Sequence, residues 1–219
     1  NHANDKILII DLDLVPIIEK IIDDCPKVEK LVILCSKADL PSTKFAEVIS
    51  YEELLSMGGE NFEWIEGEET DACGICYTSG TTGNPKGVVY THRSNTLHAL
   101  TQAAPDMLNL SSTDTIMPVV PLFHANGWSI AYTAPLVGSS IVFPGGDLSP
   151  SSLYDMLERG VTITAAVPTV WLLLLNFLES EKKELSSLKR VVIGGSSCPR
   201  SVIEAVSYTH LTLPTISSV

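Results

Sequence analysis

Basic residues are scarce in this 219-residue sequence. It contains 14 Lys and Arg against 26 Asp and Glu, so its formal net charge at pH 7 is −12. Surfaces that bind nucleic acids, and segments that bind anionic membranes, are normally rich in Lys and Arg. The composition therefore argues against both kinds of partner. Any phosphate group must then be bound by local geometry rather than by overall charge.

The sequence also lacks a targeting or membrane-spanning segment. Its first residues, NHANDKILII, have no basic stretch followed by a long apolar one, which predicts no secretory signal and a cytoplasmic location. Thr115 to Gly146 contains no Asp, Glu, Lys or Arg, as a membrane span would. Prolines at positions 118, 121, 135 and 144 interrupt it. A strand, a loop, a small-residue helix and a second strand, all deeply buried, fit this segment better.

Cysteines number five and are scattered along the chain. An odd number without a secretory signal predicts reduced thiols. Cys73 and Cys76 have the spacing of redox and metal sites, but no second pair and no histidine cluster accompany them. Residues three apart on a strand should also point to opposite faces. The sequence therefore predicts no metal or redox role for this pair.

Short apolar runs alternate with segments of helical spacing. The predicted strands are 6–10, 28–35, 72–77, 87–90, 115–120, 140–143, 162–167 and 189–193. The predicted helices are 14–22, 50–57, 92–107, 128–137, 149–159, 168–178 and 199–206. Ser50 and Glu53 have capping-box spacing, and the acidic segment 58–71 should be a solvated surface. This alternation predicts an α/β fold with a largely parallel sheet flanked by helices, whose loops converge at the carboxyl ends of its strands.

One stretch, YTSGTTGNPKG at residues 77–87, is rich in glycines and hydroxyl side chains, and we call it the glycine loop. Glycines let the backbone turn with positive φ, and consecutive amide N–H groups can form an anion-binding concavity. The stretch is not a Walker P-loop, because Lys86 follows Pro85 and precedes Gly87 rather than Ser or Thr. Composition alone leaves two interpretations, an anion-binding loop and a solvated turn.

The order of these residues is more specific than their composition. YTSGTTGNPKGV resembles the phosphate-binding signature of the adenylate-forming (AMP-binding) superfamily of acyl- and aryl-CoA synthetases, luciferases and adenylation domains. PLFHANGW at 121–128 resembles its second signature, and VPTVW at 167–171 and GGSSCP at 194–199 resemble two further segments. Together they are similar to the fatty-acid branch, in particular medium-chain acyl-CoA synthetases and methylmercaptopropionate-CoA ligases. The resemblance extends to about Ala205.

The resemblance implies a role for each segment. The implied phosphate contacts of ATP are Thr78, Ser79, Gly80, Thr81, Thr82, Gly83 and Lys86, with Thr78 also contacting Mg²⁺. Gly194, Gly195 and Ser196 would contact the adenine, and Gly195 and Ser196 also the acyl group. The implied acyl pocket further contains Ala125, Trp128, Val167 and Trp171. His124 and Lys86 are the implied catalytic residues. Taken singly, His124 and the tryptophans would be ordinary core residues.

The implied reaction has two steps. A carboxylic acid attacks the α-phosphate of ATP to give an acyl-adenylate and diphosphate, and the thiol of CoA then displaces AMP. The family's magnesium-binding Gly-x-Thr-Glu motif, its ribose-binding Asp and its small C-terminal domain with the catalytic lysine have no counterpart after Gly195. We therefore expect a fragment that is inactive alone, with a homodimer as one option for the intact parent. An aryl-CoA ligase, a non-catalytic nucleotide-binding module and a phosphotransferase remain alternatives.

The resemblance also sets expected boundaries. Residues 1–205 would be a partial AMP-binding N-terminal domain, truncated at both ends. Residues 206–219 interrupt the helix predicted from Pro199 and have no counterpart in the family's pattern. Residues 206–211 resemble a translated sequencing adapter, so we expect this tail to be non-native.

Overall fold

The computed structural model describes residues 2–45, 47–59, 61–78 and 83–208, and of residues 207 and 208 only the backbone. The chain divides into two compact units, Asn1–Glu66 and Gly67–Val219. No helix in the described part of the chain combines the length and the apolar character that a membrane crossing requires.

The first unit is built on a small parallel sheet. Strands β1 (Ile7–Asp11), β2 (Lys30–Leu34) and β3 (Val48–Ser50) pair in that order, and helices α1 (Val15–Ile21) and α2 (Tyr51–Ser56) follow β1 and β3. Parallel pairing needs a crossover connection, which α1 supplies between β1 and β2. The central strand β2 carries the most buried residues of this unit, Leu31, Val32 and Ile33.

Helix α2 begins with the predicted capping box. Ser50 Oγ accepts a hydrogen bond from the Glu53 backbone N–H (3.1 Å), and the Glu53 carboxylate accepts one from the Ser50 N–H (3.2 Å). These bonds satisfy backbone donors that have no partner within the helix. After α2, the described residues of 58–71 form neither helix nor strand and are exposed, as predicted for the acidic segment.

The second unit contains an antiparallel hairpin and a parallel sheet. The hairpin pairs β4 (Ala72–Thr78) with β5 (Lys86–Thr91), and helix α3 (His92–Ala103) follows it. The parallel sheet has the order β7 (Ser140–Ile141), β6 (Thr115–Val119), β8 (Ile163–Ala166), β9 (Arg190–Ile193). The other helical elements are α4 (Ala125–Trp128), α5 (Ile130–Val137), α6 (Pro150–Leu157), α7 (Pro168–Glu181) and α8 (Arg200–Tyr208).

Helices cover both faces of the parallel sheet. Alternate strand residues point to opposite faces, so Ile116 and Ile163 pack with Ile130 of α5. Met117 and Ala166 belong to the other core cluster, with side chains of α6, α7 and α8. The predicted α/β fold, with parallel sheets flanked by helices, is therefore confirmed.

The glycine loop does not lie at the edge of the parallel sheet. It joins β4 to β5, which pair antiparallel. We expected the loops to converge at the carboxyl ends of the strands of one largely parallel sheet, and for the glycine loop this expectation is wrong. Only residues 79–85 separate the two strands, too few for the crossover of roughly a dozen residues that parallel pairing needs.

A largely buried ion pair ties together the amino ends of three strands in the parallel sheet. Asp114, directly before β6, accepts hydrogen bonds from Arg190 Nη2 of β9 (2.6 Å) and Thr162 Oγ1 before β8 (2.8 Å). Ser111 Oγ donates a third bond to Asp114 at 2.9 Å. The network lies at the edge opposite the carboxyl ends of the strands, where we expect a stabilising role.

Two further predictions need revision. The uncharged segment 115–146 is not deeply buried throughout, because Phe123 is 76% and Phe143 is 56% exposed. The last helix does not break after residue 206, since α8 continues to Tyr208. Residues 209–219 lie outside the described residues, so the non-native tail stays a prediction.

Candidate active site

The glycine loop begins and ends at paired positions of the hairpin. Thr78, the last residue of β4, is directly opposite Lys86, the first residue of β5. The Cβ atoms of such cross-strand partners lie about 5 Å apart, so the Thr78 and Lys86 side chains extend from the same face of the hairpin. Lys86 is exposed and takes part in none of the ion pairs found among the described residues.

The interior of this loop is described only in part. Gly83 has a φ of 141°, a backbone conformation that favours glycine. Ser79, Gly80, Thr81 and Thr82 lie outside the described residues, so their predicted phosphate contacts stay predictions.

A left-handed turn follows His124. The five residues 125–129 all have positive φ, between 47° and 60°. The left-handed conformation costs roughly 1–2 kcal/mol per residue except at glycine, and Asn tolerates it better than most. Gly127 has a second constraint, because a Cβ there would approach Leu122 Cδ2 to 2.7 Å. Strain of this kind concentrates at functional sites, and it explains why helix α5 begins at Ile130 rather than at the predicted Trp128.

A chain of side-chain hydrogen bonds connects this turn to the hairpin. Cys76 Sγ donates to Asn126 Oδ1 (3.1 Å), Asn126 Nδ2 donates to Asn95 Oδ1 (3.5 Å), and Asn95 Nδ2 donates to Cys73 Sγ (3.1 Å). The strand that enters the glycine loop is thereby attached to the turn that carries His124 and Trp128.

The two cysteines therefore share a pair of asparagine partners, although we expected them to diverge. The pairing register of β4 shifts between Ala72 and Gly74, which makes Cys73 an extra, bulged residue. A bulge reverses the alternation of side chains beyond it, so residues three apart can face the same way. Among the described residues no group of three or more His, Cys, Asp or Glu could hold a metal ion.

A cavity of about 430 Å³ lies between α3, the left-handed turn and the end of β9. Its lining includes five residues of the predicted site: His124, Ala125, Trp128, Gly194 and Gly195. The Trp128 indole lies over Gly194, where a Cβ would be 3.1 Å from Cη2. Gly195 has a φ of 82°, and a Cβ on it would lie 3.2 Å from Val167 Cγ1. Two loops that are distant in sequence thus form one wall, and glycine is needed for the close approach.

Three residues of the predicted substrate site do not line the cavity, and the first of them, Val167, lies beside Gly195. Trp171 is 2% exposed and packs in the core cluster of the parallel sheet, with Met117 and Leu174 among its members. It comes three residues after Pro168, the first residue of α7, and this spacing turns it toward the sheet rather than toward the cavity. Ser196 is exposed and does not line the cavity.

Helix α3 supplies two cavity residues that sequence reasoning missed. His98 lies at the exposed rim, whereas Gln102 is 8% exposed. The buried residues of α3 are Asn95, Ala99 and Gln102, while Leu97 and Leu100 are more than half exposed. The apolar periodicity of α3 predicts that its leucines are buried and its amides exposed, which is the opposite of the observed orientation. The sequence signal that indicates the cavity face is the i, i+3, i+7 spacing of the polar residues Asn95, His98 and Gln102.

Comparison with known proteins decides the family. A family model described as "AMP-binding enzyme" matches residues 1–215. The chain belongs to the AMP-binding enzyme family.

Relatives within this family are CoA ligases. A medium-chain-fatty-acid–CoA ligase of Ectopseudomonas oleovorans is 46% identical over 204 residues, which are 93% of this chain and 37% of that protein. A 3-methylmercaptopropionyl-CoA ligase of Ruegeria pomeroyi is 41% identical over 93% of this chain and 38% of its own length. The predicted likeness to these two kinds of ligase is confirmed. The chain spans less than two fifths of either protein.

Solved structures agree on the fold. A long-chain-fatty-acid-CoA ligase of Archaeoglobus fulgidus superimposes with a TM-score of 0.84 at 25% identity, over 100% of this chain and 44% of that chain. An anthranilate CoA ligase in complex with anthranoyl-AMP gives a TM-score of 0.82 at 23% identity, over 99% of this chain and 41% of that chain. The chain therefore has the fold of part of these proteins.

Proposed function

We propose that this chain carries the nucleotide- and acid-binding part of an ATP-dependent acyl-CoA ligase. The reaction would convert a carboxylic acid, ATP and CoA into acyl-CoA, AMP and diphosphate through an acyl-adenylate. Relatives that are 46% and 41% identical are named as such ligases, and the chain spans under two fifths of their length. We therefore assign the activity to a longer protein that contains residues 1–205.

The cavity beside His124 is the observation that carries this proposal. It is bounded by the left-handed turn and the Gly194–Gly195 loop, and the Cys76–Asn126 hydrogen bond attaches it to the strand entering the glycine loop. An acid held in the cavity and a nucleotide held by the glycine loop would then be neighbours. Attack at the α-phosphate depends mainly on such positioning and on charge neutralisation.

The residues would divide this work between them. Lys86, with Thr78 and the glycine loop, would neutralise and hold the β- and γ-phosphates that leave as diphosphate. Gly194, Gly195 and Ser196 would contact the adenine, and His124 at the cavity rim would orient the reacting carboxylate. Trp128, Ala125 and Val167 would surround the acyl group.

The described residues do not form a complete magnesium site. Thr78 offers one hydroxyl oxygen, whereas a Mg²⁺ site normally includes one or two carboxylates. Among the described residues no cluster of three or more acidic, His or Cys side chains is present. We therefore assign no step to Mg²⁺, and Thr78 as its ligand stays a prediction. A cytoplasmic location and a homodimeric parent also stay predictions.

Acid-dependent exchange of labelled diphosphate into ATP tests the proposal. The enzyme encoded by the complete reading frame should catalyse this exchange with hexanoate, octanoate or benzoate, and the preferred acid separates a fatty from an aryl specificity. Lys86→Met should lower the exchange rate by about 100-fold, because it removes charge from the leaving diphosphate.

Lys189→Met is the matched control. Lys189 is also exposed, but it precedes the amino end of β9, whereas the cavity lies at the carboxyl end of that strand, so its loss should leave exchange unchanged. A folded wild-type enzyme that binds ATP without exchanging diphosphate, for any acid, would contradict the proposal and favour a non-catalytic module. Transfer of the γ-phosphate to an acceptor would favour a phosphotransferase.

A further inference from the structure

Helix α3 presents amides instead of apolar side chains to the interior. Its buried positions, Asn95, Ala99 and Gln102, have the i, i+4, i+7 spacing of one helix face. Two exposed leucines, Leu97 and Leu100, lie on the same helix. Turning the helix to bury these leucines would remove more apolar surface from water. The observed orientation therefore requires that the buried amides have partners.

Asn95 has such partners within the protein. Its amide donates to Cys73 Sγ and accepts from Asn126 Nδ2. The burial of Asn95 is thus explained by its hydrogen bonds, which connect the hairpin to the left-handed turn.

Gln102 does not have a complete set of partners. Its Nε2 lies 3.3 Å from His98 Nε2, and its Oε1 is buried without a hydrogen-bond partner among the described residues. Exchanging the amide oxygen and nitrogen would satisfy the oxygen and leave the NH₂ group unpaired, so one polar atom stays unsatisfied either way. Buried amides without partners are uncommon in native proteins, and each one calls for an explanation.

The cavity offers that explanation. Gln102 is one of its lining residues, and Met107, Leu108 and Ile193 supply apolar surface beside it. An acyl chain in this cavity would therefore pass apolar walls and meet one amide. A hydroxyl group on that chain can pair with the amide in either orientation, because a hydroxyl both donates and accepts hydrogen bonds.

We propose that Gln102 determines specificity by forming a hydrogen bond with a hydroxyl group on the acyl chain of the substrate. This inference rests on the proposed ligase function. It identifies the substrate class as hydroxylated aliphatic acids rather than plain fatty acids. A site built to pair with a substrate hydroxyl discriminates strongly against the analogue that lacks it, because the buried protein group then stays unpaired.

Matched pairs of acids test this specificity in the enzyme from the complete reading frame. Diphosphate exchange is measured for straight-chain acids from butanoate to octanoate, each against its terminal-hydroxyl analogue. At the best-fitting length, the hydroxy acid should have a kcat/KM about tenfold higher or more, as expected for one buried hydrogen bond. Gln102→Leu should bring this ratio to about one.

Met107→Leu serves as the control, because it changes another lining residue without changing its polarity and should preserve the ratio. The ratio compares two acids on the same preparation of Gln102→Leu, so it does not depend on the fraction of the variant that is folded. Equal use of both acids by the wild type, or an unchanged ratio in Gln102→Leu, would overturn the role of Gln102 while leaving the ligase function intact. Absence of exchange with every acid would instead overturn the ligase function, and the specificity inference with it.

Discussion

Asp114 shows at the scale of one residue how a buried charge is kept in place. Burial alone would raise its pKa, but hydrogen bonds from Arg190, Thr162 and Ser111 outweigh this effect and hold the pKa below the ordinary value of 3.8. A carboxyl group with a lowered folded-state pKa stabilises the fold above its unfolded pKa. That contribution is lost as the pH falls below about 3.8 and through the folded-state pKa.

We predict that Asp114→Asn destabilises the second unit by about 3 kcal/mol, because it leaves Arg190 largely buried without its counter-charge. Urea unfolding at pH 7 and at decreasing pH measures this loss. The difference from wild type should be constant near neutral pH. It should shrink as the pH falls below about 3.8, where the Asp114 carboxyl is protonated first in the unfolded chain and then, at lower pH, in the folded protein. Asp155→Asn, an exposed position on α6, should have almost no effect. A difference that does not depend on pH would contradict the electrostatic origin.

The location of a single residue was predictable from the sequence where the residue belongs to a motif, and was not predictable where the packing of a helix determines which way its side chain points. His124, Trp128, Gly194 and Gly195 belong to recognisable segments, and the structure brings them to one cavity. Trp171 belongs to such a segment as well, but its position on α7 turns it into the core. Gln102 belongs to no motif, and only the rotation of α3 shows that it is buried.

The left-handed turn 125–129 is the element on which the candidate site depends most. It holds its shape against unfavourable backbone conformations through the hydrogen bonds of Asn126. We predict that Asn126→Ala lowers the free energy of unfolding by about 2 kcal/mol, of which roughly half reflects the lost hydrogen bonds and half the strained alanine.

Asn109→Ala separates these two contributions. Asn109 is also a non-glycine residue with positive φ (49°), and its side chain is exposed. Its substitution should cost only the backbone part, about 1 kcal/mol, in a urea titration. Equal losses for the two variants would show that the Asn126 hydrogen bonds contribute nothing to stability.

Elements whose signals are local were predictable. The capping box of α2 needs only Ser50 and Glu53, and the start of α7 needs only Pro168. The bulge at Cys73 and the antiparallel pairing of β4 with β5 depend on which strand lies alongside, which residue periodicity does not specify. For that reason two predictions were wrong: that the Cys73 and Cys76 side chains point to opposite faces, and that the glycine loop lies at the edge of the parallel sheet.

At the scale of the whole molecule, the chain contains two units joined by an exposed acidic segment. Residues 58–71, where described, lack regular structure, and Phe62, Trp64 and Ile65 within them are 69%, 86% and 93% exposed. Exposed segments without backbone pairing are the preferred sites of proteolysis.

A glutamate-specific protease should therefore cut first after Glu63 or Glu66. Mass spectrometry at short digestion times should show two products that correspond to the two units. Glu158, whose carboxylate accepts hydrogen bonds from Ser186, offers an internal comparison and should be cut later. First cleavage at Glu158 or within α7 would contradict the division into units.

The fold class was predictable because strand and helix signals alternate along the whole chain, whereas the division into two parallel sheets and a hairpin was not. Apolar runs of similar length form β2 in the first unit and β8 in the second, and nothing in the runs themselves assigns them to different sheets. The boundary between the two units lies within the exposed segment 58–71, which contains no regular secondary structure in its described residues.

The position of Trp128 against Gly194 has a spectroscopic consequence. The protein has three tryptophans. Trp64 is almost fully exposed and Trp171 almost fully buried, whereas Trp128 is half-buried at the cavity wall. The fluorescence of Trp64 should be red-shifted and easily quenched, and that of Trp171 should be blue-shifted and protected from quenchers. The fluorescence of Trp128 should change when a ligand fills the cavity. With acrylamide suppressing Trp64, the remaining change in emission reports ligand entry in the unlabelled protein.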